Sequence, residues 1–166
     1  FAFIGWITHT LFVLIIGVIQ REQIIVSISI YRKLLIVNLV CAYGMLISFV
    51  IQGYGFFSIT LSTLSVFTAY AFAYLLFKDL KKLSDRPYAI WFTAALWFNI
   101  ISSLGTFTLA FMMASHNFNQ NIHLASLYFY LHFQYNGFFM FACMGLLLAK
   151  IYELKPSYQQ SNSIFW

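Results

Sequence analysis

All nine lysines and arginines of this 166-residue chain fall in three short segments: 20–33, 78–87 and the stretch after Ala149. Between and around them run apolar stretches at about 1–19, 34–52, 56–77, 88–114 and 127–151. A helix needs roughly 20 residues to cross a bilayer, and these runs supply that length. Five crossings put the three basic segments on one side and leave the other side without a basic residue. A different span count would scatter the charges. The reading is an all-α polytopic transmembrane helix bundle over residues 1–155, with 156–166 as a polar tail or linker. The positive-inside rule then places the N-terminus and the 115–126 loop outside and the C-terminus inside.

Composition agrees: 62% of residues are hydrophobic and 8% charged, where soluble domains carry roughly 25% charge. The net charge of +5 is therefore a topology signal, not a nucleic-acid footprint. All four acids, Glu22, Asp79, Asp85 and Glu153, lie on the basic side, which argues against ion-coupled transport through a membrane carboxylate. Cys41 and Cys143 stand inside apolar runs and read as small buried hydrophobes, with no disulfide or CxxC pattern. The 20 phenylalanines read as lipid-facing bulk, or alternatively as the lining of a cofactor pocket. There is no phosphate loop or hydrolase elbow. The chain opens at Phe1 inside an apolar run, without initiator Met or charged leader. It reads as a piece of a longer protein.

The connections have their own signals. Gln23–Lys33 alternates and is too short to cross, so it is expected to lie at the inner interface, apart from the second span. Gly53-Tyr54-Gly55 predicts a tight turn, and Pro87 a helix start. The loop Ser115–Ser126, with His116 and His123, is expected to cap the outer ends of the helices. Asn99, Ser102, Ser103 and Thr106 share a helical face, and hydroxyl and small residues in membranes commonly serve as helix glue. A proton or substrate path is the other reading of that stripe.

The last run, Leu127–Ile151, is the one most loaded with polar groups. Tyr128, His132 and Asn136 repeat at i, i+4, i+8 and share a face with Tyr135. Gln134 points about 200° away from His132 at 3.6 residues per turn. Polar groups at membrane depth face protein, ligand or water by default. Neutral imidazole ligates haem iron or copper, so His132 is the candidate metal ligand, with Tyr128, Tyr135 and Asn136 around it. A histidine hydrogen-bonded to a neighbouring helix is the plainer reading. His9, in the first span, could border the same large cofactor, or be satisfied locally by Thr8 and Thr10.

The segment YFYLHFQYNGFF, Tyr128–Phe139, resembles a ligand-bearing helix of the haem-copper oxidase subunit I superfamily and its divergent bacterial relatives. Two alignments are open. In one, His132-Phe133-Gln134-Tyr135 resembles the His-Phe-His-Tyr motif that ligates both haems, with Gln134 in place of the low-spin ligand. In the other, the five spans resemble the second to sixth helices of that fold. His132 would then resemble the first copper ligand, followed by Asn136-Gly137-Phe138-Phe139. The adjacent His-His copper pair of the family is not in this sequence. The resemblance implies a subunit of the bacterial inner membrane binding haem or copper in respiratory electron transfer. Against it stand a non-catalytic scaffold without cofactor that packs on partner helices, and a channel for a neutral solute. In each case the partners expected are the lipid bilayer and other membrane subunits or further helices of the same chain, with no nucleic acid.

Overall fold

The computed structural model describes residues 6–22, 28–53, 55–115 and 119–154. Every element in them is helical: α1 (His9–Arg21), α2 (Ile28–Gln52), α3 (Phe56–Leu80), α4 (Pro87–Ala114), α5 (Gln120–His132) and α6 (Met140–Leu154). A π-helical segment, Phe133–Phe139, joins α5 to α6, making one rod of 35 residues from Gln120 to Leu154. Four helices are long and apolar enough to cross a membrane: Ile28–Ile51, Phe56–Leu83, Pro87–Ala114 and Gln120–Leu154. The first, Trp6–Arg21, is apolar but shorter. Phe1–Gly5 and the tail expected at 156–166 lie outside the described residues.

Local chemistry sets the boundaries. Gly53 closes α2 with φ +63°, a left-handed conformation that favours glycine. Ser58 then ties the turn, its Oγ accepting from the Gly55 N–H and donating to the Gly53 carbonyl. Pro87 stands in the first turn of α4, where its missing N–H costs nothing. Asn119 caps α5, its side chain accepting from the backbone N–H groups of Asn121 and Ile122.

Two helices begin earlier than their apolar runs. The second starts at Ile28 and is continuous through Gln52, so residues 28–33 are its first turns, not a separate interfacial segment; residues 23–27 lie outside the described residues. The physical reason is at Tyr31, which is buried and donates to Asp79 Oδ2 on α3 at 2.8 Å. This hydrogen bond docks the polar end of α2 against its neighbour. Likewise residues 120–126 are helix, not loop, because Asn119 starts the helix and Ser126 packs against α4 at Gly105. His116 is outside the described residues.

The rods close a ring. α1 meets α2 and α6, α2 meets α3, α3 meets α4, and α4 lies along the whole final rod. Close approach of α4 and α5 depends on Gly105, where a Cβ would stand 2.6 Å from the Ser126 carbonyl oxygen. Small residues of this kind let membrane helices pack backbone to backbone.

Reading inward from one end, the interior is layered. First come the charged groups, including Arg21, Glu22, Asp79, Arg86 and Glu153. Next is an apolar layer of buried Ile15, Phe12, Phe72, Leu76, Phe92 and Phe138. There Phe12 stacks on Phe72 at 3.9 Å between ring centroids and meets Phe138 at 5.5 Å. The rings of this layer pack on each other, while Phe56, Phe57, Phe67 and Phe111 point outward. Third is a polar layer.

Candidate functional site

The polar layer draws on every rod. Gln134 is its hub: its Nε2 donates to Thr8 Oγ1 at 3.1 Å, and its Oε1 accepts from Ser102 Oγ at 2.8 Å. One amide thus links the last rod to α4 and to the residue preceding α1. A second pair joins α2 and α3, with Ser65 Oγ donating to Asn38 Oδ1 at 2.8 Å. A third joins α3 to α4 through the hydroxyls of Tyr70 and Ser103.

These groups surround a chamber of about 40 Å³ lined by Thr8, Asn38, Tyr70, Asn99, Ser102 and Gln134 among others. That exceeds the roughly 10–15 Å³ a cavity needs to hold a water molecule. Asn38, whose buried Nδ2 has no protein partner, stands in its wall. The chamber is polar enough for water to satisfy that donor. Asn99, Ser102, Ser103 and Thr106, the stripe seen in the sequence, all line it.

The opposite face of the same rod has a different setting. Gln134 is 2% exposed, whereas Tyr128 is 69% exposed and His132, Tyr135 and Asn136 are exposed with it. The spacing rule separated these two faces as observed, but among the described residues no helix covers the second. His132 Nδ1 lies 3.3 Å from Asn136 Nδ2, one turn away. With the amide donating, Nδ1 is the acceptor and Nε2 carries the proton. The edge of the His132 ring also contacts Phe133. The rod is π-helical immediately after His132, and such wide turns are frequent at functional sites.

The remaining sequence candidates go elsewhere. His9 is half-buried, and its Nδ1 is buried without a partner. The local satisfaction expected from Thr8 and Thr10 does not form: neither threonine donates to that nitrogen, and Thr8 accepts from Gln134. His9 and His132 line neither the polar chamber nor the larger groove at the charged end. His123 lies on α5, half-buried. Cys41 is buried as expected, but Cys143 is exposed. Among the described residues, no three or more His, Cys, Asp and Glu side chains gather as a metal group.

Sequence reading missed Gln134 as the interior hub. The signal was present: a lone amide opposite a polar stripe, on a helix long enough to have neighbours on both sides. It also missed the pairing at the charged end. There Arg86 bonds Glu22 at 3.1 Å and the Tyr152 hydroxyl, and Tyr88 donates to Glu22 at 2.8 Å. Burial acts to lower the Arg86 pKa, but Glu22 and then Tyr152 outweigh it and hold the guanidinium above its ordinary value. Arg21 and Lys150 both reach Glu153 Oε2, at 3.1 and 2.9 Å. The charged ends of α1, α4 and α6 are thereby gathered at one end of the bundle.

Compared with protein-family models, characterised proteins and solved structures, the chain matches none.

Proposed function

We propose that this chain is a five-span integral membrane subunit of a bacterial inner membrane, and that it docks on helices of a partner subunit through its His132 face. The observation that carries this reading is the outward exposure of Tyr128, His132 and Asn136 on a membrane-length rod. Asn136 is 14 residues from Lys150, about 21 Å along a helix axis. With Lys150 at the inner boundary of a hydrocarbon core roughly 30 Å thick, Asn136 lies well inside it. A polar group at that depth is costly against lipid and is relieved by a protein neighbour. The gathered basic residues support an orientation with this end in the cytoplasm and the N-terminus outside. The apolar run from Phe1 supplies the length for the first span.

A second reading gives the same face a haem or a copper ion, in line with the haem-copper oxidase resemblance. What favours it is the imidazole itself, oriented by Asn136 and open on its other side. The polar chamber among the described residues does not fit a haem: it is about 40 Å³, against the roughly 300–1,000 Å³ of ordinary ligand pockets. The group would instead lie between this rod and a partner, with further ligands from outside the described residues. His132 would hold it, and Asn136 would orient the ring.

A photo-crosslinking residue at position 132 in native membranes tests the docking. One protein adduct of discrete mass is expected there and none at the lipid-facing position of Leu147. Absence of an adduct at 132 would refute it. Haem or copper in gently isolated protein, lost in His132→Ala while the fold persists, would favour the second reading.

A further inference from the structure

A second cavity, larger than the polar chamber, has no part in the polar layer or the His132 face. It is a groove of about 620 Å³ between α1 and α6 at the charged end. Its floor is apolar, with Val13, Gly17 and Val18 on one side and Leu146 and Ala149 on the other. From Val13 to Arg21 the floor runs eight residues, about 12 Å along the helix. Its rim carries two cations, Arg21 and Lys150, and two carboxylates, Glu22 and Glu153.

We infer that this groove holds one phospholipid with a zwitterionic amine head group, its phosphate on Arg21 and Lys150 and an acyl chain along the floor over Gly17. The inference rests on reading this end as the inner membrane boundary. Charge complementarity selects the occupant. Arg21 and Lys150 each use one donor on Glu153 Oε2, and their remaining N–H groups suit phosphate oxygens. Glu153 Oε1 is left to accept from an ammonium group. Glu22 is taken up by Arg86 and Tyr88, so Glu153 Oε1 is the rim oxygen that recognises the head group, and a purely anionic head has no ammonium to offer it. The floor explains residence: a Cβ on Gly17 would meet nothing within 4 Å, so glycine leaves a furrow where other residues would fill it. An acyl chain laid in that furrow touches protein on two sides, unlike one on a convex helix face.

Native mass spectrometry of the purified full chain, delipidated and then titrated with phosphatidylethanolamine or phosphatidylglycerol of identical chains, tests the proposal. One phosphatidylethanolamine per chain should be retained, in preference to phosphatidylglycerol. Gly17→Leu should weaken retention at least about tenfold by closing the furrow, with its unfolding midpoint unchanged. Arg21→Gln with Lys150→Gln, at exposed positions that do not endanger folding, should weaken it about tenfold or more through lost charge-assisted hydrogen bonds. Equal or tighter retention of phosphatidylglycerol would overturn the proposal. So would retention untouched by either change, full competition by soluble glycerophosphoethanolamine, or binding that appears only after removal of residues 155–166. The membrane reading fails separately, by release of the wild-type chain from membranes in alkaline carbonate before any lipid is added.

Discussion

Gln134 and His132 are two residues apart on one rod and live in opposite surroundings. Gln134 is buried, with both ends of its amide engaged by α4 and by Thr8. His132 is exposed, and its hydrogen bond to Asn136 and ring contact with Phe133 are on its own rod. The difference teaches how to sort polar residues in a membrane helix. A polar group whose partners come from other helices belongs to the fold. A polar group oriented only by its own helix, and exposed, adds little to the fold, and it is there that the proposed partner would dock.

The comparison breaks first at the apolar layer. Phe138, four residues from Gln134 and fully buried against Phe12, belongs to the folding face. Phe138→Ala should cost about 3 kcal/mol or more, as large-to-small changes in cores do. Met140→Ala, on an exposed position of the same rod, should stay within about 0.5 kcal/mol. Reversible unfolding in mixed micelles measures both, and equal losses would mean the rod has no folding face. Next in size is Gly105→Leu, which forces α5 off the α4 backbone and should cost about 2 kcal/mol by overpacking, read the same way. Tyr70→Phe removes only the hydroxyl contact with Ser103 and should cost about 0.6 kcal/mol, the average for hydrogen bonds between membrane helices. The smallest contrast is chemical. A lipid-soluble maleimide should label Cys143 in the folded protein and spare Cys41 until unfolding, because the first is exposed and the second buried.

Much of this was legible in the residues. The long helices were visible as apolar runs, and Gly53 and Pro87 marked their turn and start. The gathering of charges at one end followed from where the basic residues fall. The stripe of Asn99, Ser102, Ser103 and Thr106 does share one face, as its spacing predicts, and that face lines the polar chamber. Helix ends were less legible, because a helix continues past its apolar run whenever capping or a tertiary bond supports it. Asn119 does so for α5, and the Tyr31–Asp79 bond does so for α2. Periodicity also shows which residues share a face, but not which of two polar faces has a neighbour. Tyr128, His132 and Asn136 outnumber Gln134, yet it is Gln134 that the bundle encloses. Pairing across helices, such as Arg86 with Glu22, has no local sequence signal.

The most direct test of the two-faced rod is the unfolding midpoint of Gln134→Ala set beside that of His132→Ala, each purified in the same detergent. Gln134→Ala removes two interhelical hydrogen bonds and leaves Ser102 and Thr8 without that partner, so it should lose about 1–2 kcal/mol. His132→Ala removes a contact within one helix at an exposed position and should lose less than about 0.5 kcal/mol. Equal losses, or a larger loss in His132→Ala, would place His132 among the groups that hold the fold together and contradict the account.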